Sequence, residues 1–238
     1  MKRRIKILLI PLAVLLALLV GFFIYVSDYY HADSSAHEAF VSDDKVTVTA
    51  LAHGTFFDGP GEGDALIFYP GGKVDENAYG PLLHQLAGQG VDVFLVAMPC
   101  RLAILGINRA DDIISSYRYD RWFIGGHSLG GAAAAMYAAD HPELSGTILL
   151  AAYPTSQLDK QDLQLVIYGS QDGVLNLEKL NDSRKYASDN YCEYEIAGAN
   201  HAQFGNYGPQ KGDGQPEMSR QQQQQLTVQY IIDALRQK

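Results

Sequence analysis

Residues 119–140, YDRWFIGGHSLGGAAAAMYAAD, constrain the fold more than any other stretch of the chain. The short apolar run Trp122-Phe123-Ile124 predicts a buried strand. A tight turn follows, Gly126-His127-Ser128-Leu129-Gly130, and an Ala-rich segment then predicts a helix. Strand, G-x-S-x-G and helix in that order form the signature of a nucleophile elbow. Such a turn drives its central residue into a strained backbone conformation, which only small neighbours permit. Gly126 and Gly130 stand at the two positions where a side chain would strike the adjacent strand or helix. Ser128 is then held out at the carboxyl end of a sheet. The Leu129 N–H, at the start of the helix, points where an oxyanion could sit.

The rest of the chain alternates strand and helix signals around this point. Residues 46–51 alternate, with Val46, Val48 and Ala50 on one face, as a half-buried strand does. His53-Gly54 marks a turn, and residues 55–58 predict an antiparallel return strand. Residues 65–69 (ALIFY) are continuously apolar, as a strand covered on both faces should be. Asp75 can cap a helix reaching Ala87, with Tyr79, Leu82, Leu83 and Leu86 inward. A second buried strand spans 91–98, and 107–117 predicts a short helix. After the elbow come strands at 147–152 and 163–168, a helix at 177–187, a strand at 192–196 and a closing helix at 219–236. In that last helix Leu226, Tyr230, Ile231 and Leu235 have helical spacing. The glutamines 221–225 are expected on its solvated face. Strands alternating with helices predict a doubly wound, mostly parallel α/β sheet in one domain, 45–238.

The domain is preceded by a leader. Residues 1–26 carry four cations, Lys2, Arg3, Arg4 and Lys6, and then run uncharged from Ile7 to Val26. That is about the ~20 residues a bilayer-spanning helix needs. Phe22, Phe23, Ile24 and Tyr25 stand where a cleavable signal would place small residues. An uncleaved N-terminal transmembrane helix is therefore expected, with a linker over 27–44 and the catalytic domain outside the cytoplasm at the cell membrane. Secretion after signal cleavage is the alternative. The chain has 238 residues and a formal net charge of −9, and its leader holds four of its 18 Lys and Arg residues. An acidic domain without a basic cluster is no partner for nucleic acid. The two cysteines, Cys100 and Cys192, are expected to be buried free thiols. No His-x-x-x-His or Cys-x-x-Cys spacing appears, so neither a metal nor another cofactor is expected. The oligomeric state leaves no trace in the sequence.

A serine hydroxyl becomes an effective nucleophile when a base takes its proton and an acid orients that base. In an open α/β sheet both partners belong at the carboxyl ends of later strands. The strand at 163–168 leads into Gly169-Ser170-Gln171-Asp172-Gly173, where Asp172 is the sole carboxylate. The strand at 192–196 leads into Gly198-Ala199-Asn200-His201, and no histidine follows His201. Ser128, Asp172 and His201 are thus the expected triad. A second oxyanion N–H should come from the loop after ALIFY, Pro70-Gly71-Gly72-Lys73. Gly72 is preferred there, with Lys73 as the alternative.

FIGGHSLGGAAA, VIYGSQDGV and GANHAQFG resemble the nucleophile, acid and histidine segments of the α/β-hydrolase superfamily. Together with FYPGGKVD and VAMPCRLA they are most similar to its small fold-5 group, related to dienelactone hydrolases. The resemblance covers about residues 64–238. It implies a serine hydrolase that cleaves carboxylic esters through an acyl-enzyme. True dienelactone hydrolases differ in using a cysteine nucleophile. Residues 153–162 between two strands are too few for a cap domain, so the site is expected to be open and to take a small-molecule ester. An acyltransferase would use the same triad. A non-catalytic binding module on this scaffold is the reading from another class, and the complete triad argues against it.

Overall fold

The computed structural model describes residues 2–158 and 162–236, with side chains from residue 11 onward. Its centre is an eight-stranded sheet in the order β1-β2-β4-β3-β5-β6-β7-β8. The strands are β1 (Thr47–Leu51), β2 (Gly54–Asp58), β3 (Asp64–Tyr69), β4 (Asp92–Val96), β5 (Arg121–His127), β6 (Gly146–Leu150), β7 (Leu163–Gly169) and β8 (Asn190–Ile196). β1 and β2 form the antiparallel hairpin, and β2 also pairs antiparallel with β4. From β4 through β3 to β8 every pairing is parallel. The expected mostly parallel α/β sheet is therefore present.

The helices are α1 (Lys2–Ser27), α2 (Gly80–Ala87), α3 (Ala110–Ser116), α4 (Leu129–Ala139), α5 (Leu177–Ser183) and α6 (Arg220–Arg236). Alternation along each strand divides the apolar residues between two layers. Leu66 and Phe68 of β3 pack with Leu82, Leu83 and Leu86 of α2 and with Val228, Ile231 and Leu235 of α6. Ala65, Ile67 and Tyr69 face the other way, towards Ala133, Ala134 and Tyr137 of α4 and Ala110 of α3. Small alanines let α4 lie close on the sheet. β3 lies between β4 and β5. Successive connections therefore leave it in opposite directions, which opens a crevice at the carboxyl ends of β3 and β5.

Three expectations are corrected. Among the described residues no helix is long and apolar enough to cross a membrane. The far end of α1 belongs to the domain, since Val26 is buried there. The transmembrane helix, and the signal anchor with it, is therefore withdrawn. Residues 27–44 are folded rather than a free linker. Ser34–Phe40 form a 3-10 helix capped by Asp33, Ala36 is fully buried, and Phe40 packs on Phe57. Finally, the glutamine run is not all on a solvated face. Gln223 and Gln224 are buried, because Gln224 lies four and eight residues before the inward Val228 and Ile232, and Gln223 eight before Ile231. The cysteines are free as expected, though half-buried rather than buried. Part of the short connection read as lacking a cap, residues 159–161, lies outside the described residues.

Candidate active site

The turn between β5 and α4 has the geometry its glycines demand. Ser128 adopts φ 53, ψ −119, a region that costs a non-glycine residue about 1–3 kcal/mol. Its N–H donates to Leu150 O at 2.9 Å and its carbonyl accepts from Ala132 N at 3.0 Å, so both sides of the turn are fixed. A Cβ at Gly130 would lie 2.2 Å from Tyr69 O and 2.3 Å from Pro70 O, and one at Gly126 would lie 2.4 Å from Tyr69 O. The missing side chains let β3 and its loop press against the elbow.

His201 and Asp172 meet in the crevice. His201 Nδ1 lies 2.8 Å from Asp172 Oδ2, and both side chains are excluded from solvent. The other carboxylate oxygen, Oδ1, accepts from Val174 N and Leu175 N, each at 2.8 Å. Asp172 thus caps its own turn with one oxygen and orients the imidazole with the other. A carboxylate only accepts, so Nδ1 carries the proton and Nε2 presents a lone pair. Nε2 is buried without a hydrogen-bond partner among the described residues. His201 and Ser128 line one cleft of about 290 Å³, together with Leu129, Ala132, Ala152, Tyr153, Val174 and Leu175.

The loop after β3 lies beside the elbow. A Cβ on Gly72 would stand 2.7 Å from Leu129 Cδ2, so the two expected oxyanion positions are neighbours. The N–H groups of this loop are not equivalent. That of Gly71 donates to Tyr79 Oη at 3.0 Å and that of Lys73 to Arg101 O at 2.9 Å. No partner takes the Gly72 N–H among the described residues. Of the two alternatives left by the sequence, Lys73 has its own N–H engaged with Arg101 O.

Four residues around the site carry no sequence signal of a role. Tyr79, at the end of a 3-10 turn, is fully buried and places its hydroxyl 2.8 Å from His127 Nδ1. It accepts from Gly71 and donates to His127, tying the oxyanion loop to the elbow. Burial and the neighbouring His201 hold the His127 imidazole well below its usual pKa, hence neutral. Its ring centroid lies 4.5 Å from that of His201. A neutral His127 adds no repulsion when His201 takes up a proton. Asp213 accepts from the backbone N–H of His201 (3.2 Å), Ala202 (2.8 Å) and Gly173 (3.2 Å), joining the acid and histidine loops. Gln223 clamps Asn200 by accepting from its N–H at 3.1 Å and donating to its carbonyl at 2.8 Å. An aspartate between two glycines and one glutamine in a run of five look alike in sequence whether buried or not.

Comparison with known proteins agrees with this architecture. A profile of the alpha/beta hydrolase family, that of its fold-5 group, matches residues 65–225, and the chain belongs to that family. No curated protein matches the sequence. Among solved structures, TT1662 from Thermus thermophilus is similar with a TM-score of 0.58 and 13% identity, over 80% of this chain and 98% of its own. Dienelactone hydrolase from Anabaena variabilis is similar with a TM-score of 0.59 and 14% identity, over 79% and 98%. At those identities the likeness is one of fold.

Proposed function

We propose that the protein is a serine hydrolase of carboxylic esters. Ser128 Oγ is the nucleophile, His201 Nε2 its base, and Asp172 the residue that fixes the imidazole. The observation that carries this reading is the pairing of His201 with Asp172 through Nδ1 while Nε2 stays buried and unpartnered beside Ser128 in one cleft. Attack on the ester carbonyl transfers the Ser128 proton to Nε2 and places negative charge on the carbonyl oxygen. The Leu129 N–H at the first turn of α4 and the Gly72 N–H donate to that oxygen. Collapse of the intermediate expels the alcohol with the proton from His201, leaving acyl-Ser128. Water, deprotonated by the same Nε2, then releases the acid.

The cleft supports a small acyl group. At about 290 Å³ and lined largely by alanines, Leu129, Val174 and Leu175, it is small and mostly apolar. A p-nitrophenyl ester series from acetate to palmitate tests this reading. Turnover should peak at short acyl chains and disappear in Ser128→Ala. A preference for palmitate would contradict the acyl-size reading. Equal turnover by the mutant would contradict the chemistry.

A further inference from the structure

Gly72 makes no hydrogen bond of its own among the described residues, so its neighbours set its direction. Gly71 is held from inside by Tyr79. Lys73 is held from outside, in a left-handed conformation with φ 57 that an L-residue with a Cβ avoids. Its N–H donates to Arg101 O at 2.9 Å, and its carbonyl accepts from Tyr30 N at 2.8 Å. Asp75 N then donates to Tyr30 O at 2.9 Å, which closes a parallel bridge between Tyr30 and Val74. Side chains of the same segment complete the hold. Lys73 Nζ lies 4.2 Å over the Tyr25 ring and 3.4 Å from Asp28 Oδ2. The Arg101 guanidinium, whose own φ is 56, lies 3.4 Å over the Tyr29 ring. The segment is itself moored further along, where Lys211 N donates to Tyr30 Oη at 3.0 Å and Asp33 N to Asn206 O at 2.8 Å.

We propose that residues 25–30 are a strap that positions the oxyanion loop, with Tyr30 as its positioning residue. The inference rests on the ester-hydrolase reading for its catalytic consequence. Its structural content, that Tyr30 holds Gly72 and Lys73 in place, stands apart from that reading. Glycine has wide conformational freedom. Once Lys73 loses its outer partner it relaxes from the left-handed region, and Gly72 loses its direction with it. The ester would still bind, because the cleft does not include the strap. The transition state would lose a donor that acts there alone.

The test uses the full chain with Tyr30→Pro, which deletes the N–H donor, and Tyr30→Phe, which keeps it. Tyr30→Pro should lower kcat for a short p-nitrophenyl ester about 10- to 100-fold, with KM within about threefold, as loss of an oxyanion donor does. Tyr30→Phe, which gives up only the Oη mooring and keeps the N–H, should lose clearly less than Tyr30→Pro. Adding Lys73→Gly to Tyr30→Pro should recover part of the loss, since glycine adopts the left-handed conformation freely. A folded Tyr30→Pro protein with unchanged kcat overturns the proposal, as does an equal loss in Tyr30→Phe. Should Tyr30→Pro not fold, the double variant Tyr25→Ala/Tyr29→Ala decides, with a loss of about fivefold expected and unchanged kcat overturning. Amide hydrogen exchange provides a readout that needs no activity. In the variant that folds, exchange over residues 73–75 should quicken about tenfold while β3 and α2 stay protected, and unchanged exchange there overturns the strap. Absence of turnover in the parent together with altered exchange would sink the hydrolase reading and leave the strap standing.

Discussion

At the scale of single residues, each group in the site holds a neighbour in one orientation. Replacing Asp172 by Asn would give His201 Nδ1 an amide in place of a carboxylate. Loss of the tautomer it enforces should lower kcat by about 10⁴ with little change in KM, read in steady-state ester hydrolysis. Tyr79→Phe removes a hydroxyl that joins Gly71 to His127. It strands two buried groups, and the expected results are a loss of about 1–3 kcal/mol in denaturant unfolding and a lower kcat. Ser128, Asp172 and His201 were legible in sequence because each stands in a short glycine-containing turn that follows a strand. Tyr79 was not, because a tyrosine among Leu82, Leu83 and Leu86 has the pattern of core packing, and only the fold brings its hydroxyl to the oxyanion loop.

At the scale of elements, the site depends on how closely β3, β5 and α4 approach. Gly130→Ala would set a methyl 2.2 Å from Tyr69 O, and backbone at that distance must move. Such overpacking costs about 1–3 kcal/mol. The displaced loop is the one that bears Gly72, so esterase activity should fall more than the melting temperature implies. α6 supplies the counterpart from the other layer. Gln223→Leu keeps the volume but leaves the Asn200 N–H and carbonyl buried without partners, at about 1–3 kcal/mol each. Chemical denaturation of that variant measures the cost. The strands and the main helices of the sheet domain were legible, since continuous apolar runs and helical spacing leave little choice, whereas the 3-10 helix Ser34–Phe40 was not. The inward turn of Gln223 and Gln224 was not, because hydropathy scores a glutamine as polar wherever it points.

At the scale of the whole molecule, the N-terminal segment is part of the domain's structure. Asp33, Ser35 and Tyr30 hold segments far along the chain, including Arg220 at the start of α6, 2.6 Å from Asp33, and Asn206, 2.7 Å from Ser35. Charge run and hydropathy alone suggested a detached leader and linker, because contacts across such separations have no local signature. The buried His127 also couples the fold to pH. Its pKa is depressed in the folded state, so the unfolded chain binds a proton that the folded chain refuses. The stability this contributes is present above the ordinary histidine pKa of about 6.5 and is lost as pH falls below it. Unfolding free energies should fall as pH drops from 7 to 5, and His127→Asn should flatten that fall.

The most direct test of the catalytic account is the intact mass of the protein after treatment with a fluorophosphonate, beside that of Ser128→Ala. The account predicts one adduct on the parent protein, none on the mutant, and loss of ester hydrolysis in step with labelling. A parent protein that stays unlabelled, or a mutant that labels and turns over ester equally well, would contradict it.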